Sequence, residues 1–210
     1  MNLEQRIFIR EFLRHPFRTA AIMPSSKTVA RQMASAVPTE GDPVVVELGP
    51  GTGAFTAEIQ RRLGGRGRHL AVELNERFAA PLRDRFPGVD VAVGDAVQVR
   101  QILDERGVDS ADVIISGLPH GVFSHTRQRR FMEAFQSSLA PDGRLVAYAY
   151  LHAVWSPPAR HLHRLMDAGF AEVTIGKVHW TNFPPVFVYI ARHKTQASAG
   201  RGLAAGPVIR

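Results

Sequence analysis

Val44-Val45-Val46-Glu47-Leu48-Gly49-Pro50-Gly51-Thr52-Gly53-Ala54-Phe55-Thr56 decides the fold of this 210-residue chain. Its opening is a short, continuous β-branched run, the pattern of a strand buried on both faces of a parallel sheet. The glycines at 49, 51 and 53 let the backbone turn tightly and approach a ligand closely, and the helix that follows offers free N–H groups. A strand, a glycine-rich turn and a helix start, in that order, suit a nucleotide-like cofactor. Gly49, Gly51 and Ala54 also satisfy G-x-G-x-x-A, so the loop alone leaves nicotinamide and flavin cofactors open.

Working outward, strands and helices alternate. Strands are expected at 44–48, 69–73, 89–93, 112–116, 144–150, 172–179 and 186–192, with helices near 53–63, 76–86, 97–106, 127–140 and 158–168. Five consecutive β-to-α steps imply an α/β fold, a Rossmann-like doubly wound seven-stranded sheet with right-handed crossovers. The last two strands have no helix between them and must pair antiparallel. Before the sheet, residues 3–15 read as an amphipathic, Arg-rich helix that Pro16 interrupts, and Pro24-Ser25-Ser26 reads as the start of a second helix. Residues 1–40 therefore form an N-terminal helical cap, 41–193 the catalytic domain, and the Ala/Gly/Ser-rich stretch 194–210 a flexible tail.

Composition bounds the chemistry. Hydrophobic residues at 45% and charged residues at 21% are ordinary globular values. Without cysteine there is no disulfide, no thiolate nucleophile and no Cys-ligated zinc, which fits a reducing, cytoplasmic compartment. No run of about 18 apolar residues spans a bilayer, and the charges among residues 1–11 argue against a signal peptide. Of the net charge of +7, residues 1–20 carry +2 and residues 191–210 carry +4, leaving +1 for the body. A nucleic-acid-binding body would carry its own basic face, so the distribution favours terminal contacts with an anionic surface.

The next strand ends narrow the cofactor. Glu73, in Ala71-Val72-Glu73-Leu74-Asn75, stands about 20 residues beyond the glycines, where a carboxylate can take both ribose hydroxyls, and by itself it fits either cofactor class. Asp95, in Val93-Gly94-Asp95-Ala96, adds a carboxylate suited to accept from an exocyclic adenine amine. Together the loop, Glu73 and Asp95 outline an adenosine-shaped site without a pyrophosphate partner.

Glu47-Leu48-Gly49-Pro50-Gly51-Thr52-Gly53, then Val72-Glu73-Leu74-Asn75, then Gly94-Asp95-Ala96, resemble motifs of the class I S-adenosylmethionine-dependent methyltransferases. Residues 44–192 look like their seven-stranded sheet with its antiparallel last strand. The resemblance implies S-adenosylmethionine as cofactor, with Glu47, Gly49, Gly51 and Gly53 along its methionine and ribose, Glu73 at the ribose hydroxyls, and Asp95 with Ala96 at the adenine. Within the class, the chain is especially similar to the rRNA adenine dimethyltransferases and the bacterial phospholipid N-methyltransferases.

The fourth strand end chooses between them. Nucleobase amino-methyltransferases carry an Asn or Asp, then Pro-Pro or Leu-Pro, then an aromatic residue, which together hold and stack a planar base. Here the segment is Ile115-Ser116-Gly117-Leu118-Pro119-His120, with Ser116 in place of the amide and His120 in place of the aromatic ring. That resembles the phospholipid version, as do Tyr148-Ala149-Tyr150-Leu151 and Trp180-Thr181-Asn182-Phe183-Pro184-Pro185. Ser116, shared with the cofactor, and Pro119, His120 and Tyr150 are the residues expected at the reacting amine.

His120 is either a proton acceptor or relay, or a loop histidine without a chemical task. Tyr148 and Tyr150 end strand five on one pleat face, where they either pack the core or hold a methylated cationic amine by cation–π attraction. The helix at 3–15 covers the cofactor pocket, lies in a lipid interface, or does both. His161 and His163 point to different helix faces and make no metal site. The expected activity is N-methylation of the head-group amine of phosphatidylethanolamine or a similar aminolipid, with residues 1–18 touching an anionic membrane surface. The alternatives are a small-molecule or peptide amine as acceptor and, disfavoured, an rRNA adenine.

Overall fold

A computed structural model describes residues 27–182 and 184–195. The helix expected at 3–15, the membrane contact at 1–18 and most of the tail lie outside the described residues.

The sheet has the strand order β3-β2-β1-β4-β5-β7-β6. Its strands are β1 (Val44–Leu48), β2 (Arg68–Glu73), β3 (Asp90–Val93), β4 (Ala111–Ser116), β5 (Leu139–Tyr150), β6 (Phe170–Ile175) and β7 (Val186–Lys194). β1 through β5 pair in parallel, whereas β7 runs antiparallel to both β5 and β6 and lies between them. The helices are α1 (Lys27–Ala34), α2 (Ala54–Leu63), α3 (Glu76–Arg85), α4 (Val99–Asp104), α5 (His125–Ser138) and α6 (Pro157–Gly169).

Strand parity sorts the core into two layers. Val44, Val46 and Leu48 point to the face covered by α4, α5 and α6, where Leu103, Phe131, Phe135, Leu162 and Met166 are buried. Val45 points the other way, to α1 and α2, against Met33, Val37, Phe55 and Ile59. α3 covers Ala71 and Val91 on that second face. Burying both faces explains why the strands read as apolar runs rather than alternating ones.

Local chemistry sets the boundaries. α5 begins two residues earlier than the periodicity suggests, because the Ser124 hydroxyl accepts from the Arg127 N–H and caps it. Ser156 caps α6 in the same way, ahead of two prolines that fit a first helical turn. β6 occupies 170–175 rather than 172–179. It stops at Gly176, whose N–H still donates to the Val188 carbonyl, and His179 keeps only an isolated bridge to Val186. β1 and β4 are adjacent although their crossovers leave on opposite faces, so the crevice above them is the switch point where α/β sheets bind ligands.

Candidate active site

The glycine loop is anchored before it is free. The Gly49 N–H donates to the Val72 carbonyl at 2.9 Å, and the Gly117 N–H donates to the Leu48 carbonyl at 2.8 Å, so the ends of β1, β2 and β4 are laced together. Gly51 and Gly53 both have positive φ, +54° and +81°. They differ in their surroundings: a Cβ on Gly53 would come within 2.8 Å of Leu82 and Phe86, whereas one on Gly51 would meet nothing within 4 Å among the described residues. Gly53 packs α2 against α3, and Gly51 faces open space.

Glu73 ends β2 beside that space and is only 5% exposed. Its Oε2 accepts from the Gly51 N–H at 3.2 Å and its Oε1 from the Asn75 N–H at 3.1 Å. Burial raises its pKa, and these backbone N–H groups oppose the shift by favouring the anion. Each oxygen keeps acceptor capacity for a ribose hydroxyl.

Glu47 sits differently. It shares its face with Val45, so its side chain runs under α2, where it is wholly buried. Oε2 accepts from the Thr56 hydroxyl at 2.8 Å. The Nε2 of His69 lies 3.2 Å from the same oxygen without hydrogen-bond alignment, and the Gln60 amide meets His69 Nδ1 at 3.0 Å. Among the described residues Oε1 of Glu47 has no hydrogen-bond partner. A buried carboxylate oxygen left unmatched behind the loop is an acceptor in want of a donor. With the open space over Gly51, it fits a cofactor that carries an ammonium and a ribose.

At the end of β3, Asp95 caps the short 3₁₀ turn Ala96–Gln98 through the Val97 N–H, and Ala96 is buried. The Asp95 oxygens also lie 2.7 and 2.6 Å from Nη2 of Arg127, whose guanidinium sits 4.8 Å from the Phe131 ring centre. Nothing in the spacing of the sequence points to Arg127, which comes from α5, 32 residues away.

The β4 end turns inward. Ser116 is wholly buried, and its Oγ lies 2.8 Å from Nε2 of His120, itself 3% exposed. The imidazole packs edge-on against Phe131 and Phe135, on the α5 face of the sheet. Burial pushes its pKa down to about 4, so the ring is neutral at pH 7. Gln128 fixes the turn by donating to the His120 carbonyl at 2.6 Å and to the Pro158 carbonyl at 3.0 Å. The Leu118 side chain lies against Gly49, 2.9 Å from where a Cβ would stand. Pro119 caps the 3₁₀ turn that carries His120.

Tyr148 and Tyr150 meet edge to face at 5.6 Å, and Phe55 packs on Tyr148. Burial raises the pKa of both phenols, that of Tyr148 strongly. His161 stacks on His125 and His163 pairs with Asp167. Among the described residues no cluster of three or more His, Asp or Glu could hold a metal ion.

A glycine loop at the switch point of a doubly wound sheet, with carboxylates at three adjoining strand ends, defines an α/β enzyme that holds an adenosyl group outside the carboxyl edge. Comparison with known proteins narrows the class. A methyltransferase domain family matches residues 46–145. An ornithine lipid N-methyltransferase from Singulisphaera acidiphila is 34% identical over 189 residues, covering 89% of this chain and 94% of its own length. A ribosomal RNA small subunit methyltransferase A from a Burkholderia species is 35% identical over 81 residues, 38% of this chain and 29% of its own length. Among solved structures, a SAM-dependent O-methyltransferase from Thermotoga maritima shares the fold, with a TM-score of 0.59 at 13% identity over 80% of this chain and 66% of that one. The chain belongs to the class I S-adenosylmethionine-dependent methyltransferases, and S-adenosylmethionine is its cofactor.

Proposed function

We propose that the enzyme methylates the head-group amine of an aminolipid, phosphatidylethanolamine or a similar zwitterionic lipid. The observation that carries this reading is the β4 end, where Ser116 and His120 face inward and bond to each other. The turn above them offers backbone and the Leu118 side chain rather than an amide and an aromatic ring, so a planar base would find neither its hydrogen-bond partner nor its stacking surface. The relationship to an ornithine lipid N-methyltransferase along nearly its whole length supports the same conclusion.

The bound sulfonium supplies an already activated methyl group. The protein's task is then to align an amine and exclude water. Glu73 would hold the ribose hydroxyls, the orphan oxygen of Glu47 the ammonium, and Asp95, oriented by Arg127, the adenine amine. An aliphatic ammonium titrates near a lysine, at about 10.4. His120, with a pKa of about 4, is too weak a base by roughly six units to remove that proton. Its work is positional: with Ser116 it fixes the Leu118-Pro119 turn, and the amine is deprotonated by water before it enters. Tyr148, Tyr150 and Phe55 wall the far side, where the two phenols face a methylated, cationic product.

The test is incubation of the full chain and labelled S-adenosylmethionine with vesicles of phosphatidylethanolamine or ornithine lipid, with peptide amines and adenine-containing RNA in parallel. Mass spectrometry should find methylated lipid. Transfer to peptide or RNA with none to either lipid would overturn the reading. Deleting residues 1–18 should reduce co-sedimentation with anionic vesicles at low salt.

A further inference from the structure

One surface lies outside this site. At the carboxyl edge of the sheet, on the α6 face, a groove of about 800 Å³ runs between α6, the turn at Leu151–Ala153 and the facing ends of β6 and β7. Leu151, Val154, Ile175 and Phe187 line it, along with Trp155, which is 83% exposed. Ile175 is itself 52% exposed. The size falls within the roughly 300–1,000 Å³ typical of sites that enclose a small ligand, and apolar surface gathered in one place on a soluble face marks a contact.

The rim is charged with one sign. Arg160 and Arg164, both exposed, line the groove from α6. They stand one helical turn apart on the same face, where like charges repel. Among the described residues no carboxylate lines the groove and neither guanidinium has a carboxylate within ion-pair distance, although the neighbouring His163 does have Asp167. An apolar trough beside two unneutralised guanidiniums calls for an occupant with a long alkyl body and an anionic group. The groove also begins one residue past Tyr150, which the proposed function places near the amine: Leu151 follows directly, on the other face of the sheet, and its N–H is tied to the Pro185 carbonyl at 2.8 Å.

We infer that this groove seats an acyl chain of the lipid being methylated, with Arg160 and Arg164 holding that lipid's anionic group. The inference rests on the proposed aminolipid acceptor and adds to it how the acceptor is oriented, with its chain beyond β5 and its amine over β4. It also separates this enzyme from one that only skims a membrane, because a single lipid molecule is gripped by the protein itself.

The chain has two tryptophans, so Trp180→Phe leaves Trp155 as the only indole. That variant is titrated with a lysolipid amine brominated on its chain, below its micelle concentration. Saturable quenching of Trp155 is expected. Val154→Glu and the double variant Arg160→Glu/Arg164→Glu should each weaken that binding at least tenfold and raise KM for the long-chain lipid by a similar factor. In both, kcat and the affinity for S-adenosylhomocysteine should stay within twofold of the parent. Absent quenching beside robust lipid methylation would overturn the chain seat alone, as would variants that lower vesicle sedimentation without touching monomer binding. Saturable quenching without methylation of any aminolipid would instead overturn the proposed function, and with it the assignment of the groove to the substrate.

Discussion

Acidification should destabilise this enzyme through His120. The ring is 3% exposed and is held neutral by burial, with a pKa of about 4 against 6.5 in the open chain. Between these values the unfolded chain binds a proton that the folded one refuses. The stabilisation is therefore complete above pH 6.5 and is lost as pH falls toward 4. The whole span is worth about 3 kcal/mol, and about 2 kcal/mol of it is gone by pH 5. For a chain of this length that corresponds to a fall in Tm of about 4–8 °C. His120→Gln keeps a side chain able to bond the Ser116 hydroxyl but has nothing to titrate. Urea unfolding of the cofactor-free protein, followed by far-ultraviolet circular dichroism at pH 8 and pH 5, gives the loss for each form. His161 and His179, whose pKa values are also lowered, remain in both and cancel. The parent should lose about 2 kcal/mol more than the variant. Equal losses would mean that the imidazole is not buried neutral in the fold, and the positional role given to it would go too.

Three further outcomes follow from the same geometry. Glu73→Ala leaves the Gly51 and Asn75 N–H groups without acceptors and should weaken S-adenosylhomocysteine binding by about 1–3 kcal/mol in calorimetry; unchanged affinity would remove Glu73 from the site. Gly51→Ala and Gly53→Ala each cost about 1 kcal/mol of backbone strain, but they should part company. The Gly53 variant should lose further stability against Leu82 and Phe86, whereas the Gly51 variant should lose mainly cofactor affinity; equal effects on Tm would contradict the open space over Gly51. Arg127→Leu strands a mostly buried Asp95 and should cost up to about 3 kcal/mol, less than a fully buried pair because Asp95 keeps some access to water. An unchanged Tm together with unchanged cofactor affinity would show that the pair does not orient Asp95.

Much of this architecture could be read before the structure because it depends on short-range rules. Residues 44–48 could only be a doubly buried strand, and the acids at 73 and 95 had to fall at strand ends once the strands were placed. Even the direction of Glu47 was available: with a period of two it must share the face of Val45, beneath α2, rather than line the crevice with its whole side chain. The position of His120 was not available. It follows a turn whose course is set by Gln128, Phe131 and Phe135, all on a helix that arrives later, and the same Ser-Gly-Leu-Pro-His string could present the imidazole outward in another setting. Arg127 was hidden for the same reason, since a guanidinium that reaches across 32 residues leaves no mark in local spacing.

The three acids at the cofactor edge have one thing in common that the sequence does not display: each is backed by its own set of donors. Glu47 has a hydroxyl with an imidazole beside it, Glu73 has two backbone N–H groups, and Asp95 has a guanidinium and a turn N–H. Carboxylates set this deep would be expensive if left bare. The backing holds each one in place, and it also leaves each short of its full complement of donors. What remains unsatisfied among the described residues, one oxygen on Glu47 and spare lone pairs on Glu73 and Asp95, is spread along three adjacent strand ends, in the order in which the proposed site would take ammonium, ribose and adenine. In the proposed site the loop is therefore organised before the cofactor arrives, and binding would complete hydrogen-bond shells that folding has left open.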